Sequence, residues 1–175
     1  FQPGPPEPYE IAIVAAEAGP VEASSGLTIT AQASFDSVLN GRGDIDTLMI
    51  AGGHGSSAAM KEADLIAFVR GVAPRVRRVA AICTGALILA EAGLLDGRRA
   101  STHWFWCPTL RDDYPRVTVD ADAIYVRDGN VWISAGVTSG MDLALALVED
   151  DLGHETSRPT GWWRPRRHGQ RRSRG

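Results

Sequence analysis

The first half of the chain alternates short apolar runs with amphipathic segments. Three apolar runs are typical of buried strands because Gly, Pro or polar residues bound them: residues 11–15, 47–51 and 76–83. Residues 27–30 alternate apolar and polar side chains, as a half-exposed strand does. Helices are predicted over residues 60–72, which Pro74 ends, and over residues 84–92, which Gly93 closes.

The order of these elements, strand then helix then strand, indicates an α/β fold with a mostly parallel sheet and helices on both faces. Farther along, residues 117–119 and 123–126 are extended. Asp128-Gly129, followed by the apolar residues 131–133, is typical of a hairpin turn. We therefore expect a small antiparallel β-hairpin insertion or edge.

The last predicted element is a long amphipathic helix over residues 141–152. Thr138 or Ser139 is expected to cap its N-terminus, and Asp142 in the first turn would interact favourably with the helix dipole. One domain is expected over residues 9–157, after a Pro-rich segment at residues 1–8.

The composition is that of an ordinary soluble domain, with 44% hydrophobic and 22% charged residues. The longest apolar stretches fall far short of the roughly 20 residues that cross a bilayer, and no secretory signal opens the chain. Two cysteines are too few for a disulfide framework. We therefore expect a cytoplasmic protein with free thiols and no membrane partner.

Charge is distributed unevenly along the chain. Residues 1–157 carry 11 basic and 21 acidic side chains, whereas residues 158–175 carry seven Arg and no acidic side chain. This Arg-rich tail has no helical or strand period and is expected to be disordered. It is either a nucleic-acid-binding arm, with Trp162 and Trp163 stacking on bases, or the product of G/C-rich codons read out of frame.

Cys83 is the first candidate for chemistry, because it stands where a predicted strand passes directly into a helix. In open α/β sheets, ligands bind beyond the carboxyl ends of the strands. A helix N-terminus favours the thiolate, and in hydrolases the same tight turn holds the nucleophile clear of the sheet. The alternative is a buried, inert cysteine.

The second strand-to-helix junction is Gly52-Gly53-His54-Gly55, after the predicted strand at residues 47–51. If this loop lies beside Cys83, its backbone N–H groups can face a developing negative charge, as in an oxyanion hole. The alternative is a glycine turn that serves only the backbone conformation.

His103 follows Cys83 by twenty positions and is the candidate base that would polarise its thiol. A structural histidine is the alternative. Cys107 lies one helical turn beyond His103, and this spacing gives a further alternative, a Cys/His metal site that includes Cys83. The sequence shows no paired zinc-ligand spacing, and we expect neither a metal nor a cofactor.

Several segments together resemble the ThiJ/PfpI superfamily, part of the class I glutamine amidotransferase-like folds, over about residues 9–155. The matching segments are residues 81–86, 92–100, 102–104, 126–132 and 134–145. They are similar to one branch in particular, which contains GlxA-type transcription regulators and isonitrile hydratases. The resemblance implies a flavodoxin-like three-layer α/β sandwich with a mostly parallel sheet.

The resemblance also implies roles for single residues. Cys83 would be the elbow cysteine, with His103 as its neighbour. The backbone of Gly53 and Thr84 would form the oxyanion or anion-binding hole. The surrounding pocket would include Gly52, His54, Trp104 and Thr138.

The sequence departs from the family at both ends. Family members begin with a further strand and helix, and the acidic partner of the elbow cysteine follows that strand. Here the chain opens on Pro-rich residues, and the match stops near Glu155, before the expected final helix. We therefore expect a domain truncated at both ends, without its first strand and without the usual acid.

The resemblance favours a ligand-sensing domain of a GlxA/AraC-like transcription regulator. Such a domain would bind a small-molecule ligand, form a homo-oligomer and contact DNA only through a missing helix-turn-helix domain. The alternative is a cysteine-dependent isonitrile hydratase or amidase-like enzyme that uses Cys83, against which the absent acid counts. A third hypothesis, suggested by the Arg-rich tail, is a product without function.

Overall fold

The computed structural model describes residues 8–41 and 45–153. The described residues up to Leu143 form one compact unit, and those from Ala144 on, mostly the end of the last helix, belong to a second. The expected Arg-rich tail and all but the last residue of the Pro-rich segment lie outside the described residues.

Within these residues the chain forms ten strands and six α-helices. The strands are β1 (Val14–Ala15), β2 (Gly19–Glu22), β3 (Thr28–Ala31), β4 (Ala33–Ser34), β5 (Thr47–Ile50), β6 (Arg78–Ile82), β7 (Arg99–Ala100), β8 (Thr118–Val119), β9 (Tyr125–Asp128) and β10 (Val131–Ser134). The helices are α1 (Phe35–Asn40), α2 (Ser56–Ala59), α3 (Ala63–Val72), α4 (Gly85–Glu91), α5 (Cys107–Asp113) and α6 (Val137–Leu152). None of these helices is both long and apolar enough to span a membrane.

The main sheet has four strands in the order β5-β6-β10-β9. Leu48 of β5 and Val131 of β10 both pair with Val79 of β6, and both pairings are parallel. β9 pairs with β10 in the antiparallel sense. The predicted mostly parallel sheet is therefore confirmed, and the mixed α/β arrangement is that of a flavodoxin-like fold.

The hydrophobic core lies around β6 and α4. Residues 78–81 of β6 and residues 85–90 of α4 are all buried. A helix that is apolar on every side is stable only inside a protein. Helix α3 adds Phe68 and Val69 to the same cluster. This packing makes the β6–α4 junction a rigid part of the molecule.

The prediction of a buried strand at residues 11–15 is wrong for most of its length. Only Val14 and Ala15 are in strand conformation, paired with β4 in a separate two-stranded sheet. Ile11 is 84% exposed. Outside the main sheet this apolar run lacks the covering layers that bury a strand on both faces. The half-exposed strand predicted at residues 27–30 is confirmed as β3, which pairs with β2.

The predicted hairpin forms, with Gly129 and Asn130 in the turn between β9 and β10, but it is not an insertion. Its second strand, β10, lies inside the main sheet between β6 and β9, and all four of its residues are buried. Three of those four residues are apolar, which suits a strand covered on both faces. Only β9 is an antiparallel edge. The hairpin that stands apart from the main sheet is β2–β3.

Helix α6 begins at Val137, four residues earlier than predicted. Thr138 and Ser139 therefore lie inside its first turn and not at its N-cap, and Asp142 lies beyond that turn. The hydroxyl of Ser139 accepts a hydrogen bond from the Gly136 N–H at 2.6 Å. The serine thus reaches back to the residue before the helix, which extends the helix past the expected start.

Candidate functional site

Cys83 occupies a sharp turn between β6 and α4. Its φ of +56° is left-handed, and in the part of the chain that the structure describes it is the only non-glycine residue with a positive φ. Such a conformation costs roughly 1–2 kcal/mol for a residue with a Cβ. Three hydrogen bonds hold it, one of which runs from the Ala86 N–H to the Cys83 carbonyl at 3.3 Å. The Cys83 N–H donates to the Ser134 carbonyl at 2.9 Å, and the Thr102 hydroxyl donates to the Cys83 carbonyl at 3.0 Å.

Two glycines allow the end of β5 to approach this turn closely. A Cβ on Gly52 would overlap the carbonyl oxygen of Ile82 and would lie 3.0 Å from the Cys83 Cβ. A Cβ on Gly85 would lie 2.6 Å from the carbonyl oxygen of Ile50. The glycine loop therefore lies beside Cys83, whose residue surface is only 7% exposed.

Three residues of the site are joined by a network of short hydrogen bonds. The Gly53 N–H donates to the Thr84 hydroxyl at 2.9 Å, and that hydroxyl donates to the Gly53 carbonyl at 3.1 Å. The Ser56 hydroxyl lies 2.9 Å from the Thr84 hydroxyl. Gly53 has a φ of +141°, which glycine adopts without strain. The loop after β5 is thus tied to the start of α4.

His103 immediately follows Thr102, the residue that contacts the Cys83 carbonyl. It caps a short 3₁₀ turn, Trp104–Trp106, because its Nδ1 accepts a hydrogen bond from the Phe105 N–H at 3.4 Å. In the neutral ring this arrangement places the proton on Nε2. The Nδ1 lone pair, which a general base would use to accept a proton, is therefore engaged by the Phe105 N–H.

A cleft of about 330 Å³ opens over the hydroxyl network. Five of the eight residues expected at the site line it: Gly53, His54, Thr84, His103 and Trp104. Cys83, Gly52 and Thr138 are not among the described residues that line this cleft, although Gly52 packs directly against Cys83. Thr138 is exposed in the first turn of α6.

Four residues that the sequence analysis did not select also line the cleft: Ser56, Ser57, Phe105 and Trp106. Trp104, Phe105 and Trp106 form a wall in which successive rings meet edge to face, with centroids 5.8 and 5.7 Å apart. Trp104 is 73% exposed. An aromatic wall and a floor of hydroxyl and amide groups are typical of a small-molecule site.

Cys107 is buried at the start of α5. Its Sγ lies 3.8 Å from the carbonyl oxygens of Thr102 and His103. Within residues 8–41 and 45–153, no group of three or more His, Cys, Asp or Glu side chains is placed to hold a metal ion. The Cys/His metal alternative thus gains no support from the described residues.

Comparison with known proteins assigns the chain to a family. The sequence profile described as "DJ-1/PfpI family" matches residues 6–150. The chain belongs to the DJ-1/PfpI family. It is similar in structure to a ThiJ/PfpI family protein from Pseudomonas syringae, with a TM-score of 0.76 and 32% sequence identity, over 89% of this chain and 64% of that chain.

Curated relatives of this DJ-1/PfpI chain include both an isonitrile hydratase and transcription regulators. The chain is 34% identical over 141 residues to the isonitrile hydratase of Pseudomonas putida, which covers 79% of this chain and 58% of that protein. It is also 34% identical over 137 residues to the HTH-type transcriptional regulator GbdR of Pseudomonas aeruginosa, covering 78% of this chain and 36% of the regulator. The chain therefore spans about three fifths of the first relative and about a third of the second.

Proposed function

We propose that this domain binds a small molecule in the cleft beside Thr84, as the sensor domain of a GlxA/AraC-like transcription regulator. The observation that carries the proposal is the arrangement of the cleft. Aromatic rings and hydroxyl groups line it, whereas Cys83 is almost fully buried and is absent from its described lining. Such a cleft is suited to bind a ligand without a covalent step.

The residues of the site have binding roles in this proposal. The backbone of Gly53 and Thr84 holds an anionic or polar ligand group, and Trp104 and His54 form the walls of the pocket. His103 orients the aromatic turn through its Nδ1, and Cys83 fixes the strained turn from which α4 starts. DNA would be contacted by a separate helix-turn-helix, and the domain would act as a homo-oligomer in the cytoplasm.

The second candidate function is a cysteine-dependent isonitrile hydratase or amidase-like enzyme. One observation favours it: Cys83 has the left-handed φ and the strand-to-helix position of a nucleophile elbow. The identity to the isonitrile hydratase points the same way. In this reaction one water molecule would add to an isonitrile and give the N-substituted formamide, and the thiol would be regenerated unchanged.

Turnover separates the two functions. The purified chain and its Cys83→Ala variant are incubated with cyclohexyl isocyanide and, separately, with acetamide, and the products are followed by chromatography. If the domain is a sensor, the wild-type chain is expected to produce no more formamide or acetate than the Cys83→Ala variant does. Formamide formation or acetamide hydrolysis that Cys83→Ala abolishes would establish the enzyme and exclude the sensor proposal.

The sensor role has a second, independent test in the coding DNA on both sides of this segment. A helix-turn-helix is expected there, in the same or a neighbouring reading frame, or in a protein that forms a defined complex with the purified chain. If the adjoining DNA encodes no such module and no complex supplies one, the regulator proposal is refuted.

A further inference from the structure

The hairpin formed by β2 and β3 has one apolar face and one polar face. Val21 and Ile29 lie directly opposite each other in its register, so their side chains are on the same face. Because successive side chains of a strand alternate between the two faces, Leu27 continues this apolar face, whereas Thr28 and Thr30 lie on the other. In antiparallel sheets, this alternation is typical of strands whose apolar side is buried.

In this hairpin, however, the apolar face is open to water. Val21 is 38% exposed, Ile29 is 41% exposed and Leu27 is 68% exposed. Of the residues on this face, only Ala31, at the base of the hairpin, is buried. A two-stranded hairpin is marginally stable in water by itself and needs a layer that packs on its hydrophobic side. The described residues leave most of that side uncovered.

The hairpin also carries almost no charge. Residues 18–35 include one ionisable side chain, that of Glu22, in a chain of which 22% of the residues are charged. Glu22 is paired with Thr28 in the register, so its side chain lies on the polar face. Charged residues are depleted from the centres of protein interfaces. The exposed apolar face thus has the composition of an interface.

The outer edge of the hairpin is poorly suited to pairing with a partner strand. Pro20 lies in β2, which in the described part of the chain pairs with β3 alone. Proline has no N–H group to donate to a further strand, and it is typical of edges that are protected against strand addition. A partner therefore contacts the hairpin through its face and does not extend its sheet.

The charge of the chain favours a second copy as the occupant of this face. Residues 1–157 carry 21 acidic and 11 basic side chains, so two copies repel each other wherever their charged surfaces meet. An uncharged apolar face avoids this repulsion, and in a two-fold dimer the same face of each copy meets the other. Two hairpins stacked in this way would form two layers about 10 Å apart and enclose both apolar sides.

We propose that the apolar face of the β2–β3 hairpin, formed by Val21, Leu27 and Ile29, is the surface through which two copies of this chain form a two-fold dimer. This inference rests on the homo-oligomer of the proposed function and adds the surface that forms it. Three side chains bury less than the roughly 800 Å² that each partner of a stable complex contributes. We therefore expect a dimer whose formation depends on protein concentration.

The test measures the molar mass of the full 175-residue chain by sedimentation equilibrium, from micromolar to the highest soluble concentration. Added salt screens the attraction between the Arg-rich tail of one copy and the acidic body of another. Wild type is expected to change from monomer to dimer over this range. Leu27→Asp brings two carboxylates into the apolar contact and should raise the Kd of the dimer at least tenfold, on the order expected for an unpaired buried charge.

Thr28→Asp is the matched control, because it adds the same charge one position away, at an exposed residue on the polar face. Its dimer Kd should stay within about twofold of that of wild type. A mixture of Leu27→Asp and Leu27→Arg tests whether the face meets itself. The two variants should pair with each other more tightly than either pairs with itself, because opposite charges then meet across the contact.

Circular dichroism shows whether each variant is folded. If Leu27→Asp does not fold, Leu27→Ser removes the apolar side chain without adding a charge and is expected to raise the dimer Kd at least about threefold. A chain that stays monomeric, a dimer that the Leu27 variants leave unchanged, or an equal effect of Thr28→Asp would overturn the proposed surface.

These outcomes are distinguishable from failure of the proposed function. A dimer that survives substitution of Leu27 would refute the surface and leave the homo-oligomer standing. A chain that is monomeric at every concentration would refute both, without bearing on ligand binding in the cleft. Isonitrile turnover that Cys83→Ala abolishes would refute the sensor and leave the dimer surface intact.

Discussion

Gly85 provides a sharp test of the packing around the turn, because two physical effects predict opposite signs for Gly85→Ala. Helix propensity favours Ala over Gly by up to about 1 kcal/mol. Against this, the new Cβ would lie 2.6 Å from the Ile50 carbonyl oxygen and 3.0 Å from that of Ala51. Ordinary contact begins near 3.4 Å, so the first distance is about 0.8 Å too short.

The atoms that this Cβ meets belong to the backbone of β5 and its loop, and they cannot rotate away. Overpacking of a rigid site costs typically 1–3 kcal/mol, and we take about 3 kcal/mol for contacts with two carbonyls. The net effect is a loss of about 2 kcal/mol in the free energy of unfolding. For a chain of this size that corresponds to a fall in Tm of about 4–8 °C.

Gly71→Ala is the matched control, since Gly71 is also in a helix, α3, and its Cβ would meet only the Cδ2 of Leu39. That methyl group is the end of a flexible side chain and can move. Gly71→Ala should therefore be neutral or up to about 1 kcal/mol more stable than wild type. Urea unfolding followed by circular dichroism measures both variants. A Gly85→Ala variant as stable as wild type would refute the packing argument.

Three further predictions concern other parts of the molecule. Thr102→Val removes the hydrogen bond to the Cys83 carbonyl and should lower the free energy of unfolding by about 1 kcal/mol in urea; unchanged stability would contradict the role of that bond. The hydrogen bonds from Arg77 lower the pKa of Asp46 to about 2, below its ordinary 3.8. The stabilisation by this ion pair is therefore present above pH 4 and is lost as the pH falls through 2. At pH 7 the free energies of unfolding of wild type and Asp46→Asn should differ by less than about 1 kcal/mol, because the pair is exposed. That difference should shrink between pH 4 and pH 2. A difference independent of pH would exclude this coupling. Trp104→Ala should change the free energy of unfolding in urea by less than about 0.5 kcal/mol, because Trp104 is 73% exposed; a larger loss would contradict the exposed position of this ring.

Strands β5 and β6 were predictable because both are continuous apolar runs, and burial on both faces, which selects such runs, holds for β6. The same rule failed at residues 11–15, where an equally apolar run lies outside the main sheet and Ile11 is exposed. Sequence records the apolar character of a segment but not which strand lies next to it. For the same reason, β10 was predicted as part of an antiparallel insertion or edge, although it lies between β6 and β9.

Helices α1 and α5 were not predicted because they are only six and seven residues long, so that neither completes more than two turns of a helical period. α1 has no buried residue, and its start depends on a capping box between Ser34 and Ser37. α5 begins at Cys107, directly after the aromatic turn, with Pro108 in its first turn. Short helices of this kind are defined by their caps more than by their periodicity.

At the site, the sequence located the loop and the turn but not all of the cleft. Gly53, Thr84 and His103 were found from their position after predicted strands or from the family resemblance, and all three line the cleft. Ser56 was missed because a serine next to a glycine loop is typical of any surface turn; its position directly after that loop was the only signal. Trp106 was missed as well, although three consecutive aromatic residues cannot all face a core.

The central position of β10 determines how the chain can fold during synthesis. Val131 pairs with Val79, 52 positions earlier, so the middle of the sheet closes only after a long intervening segment has been made. Synthesis proceeds at roughly 5–20 residues per second, so one hydrogen-bonding edge of β6 stays unpaired for several seconds before β10 has been made. Fragments that stop before Val131 would keep that apolar edge open, and they should aggregate where the longer chain does not.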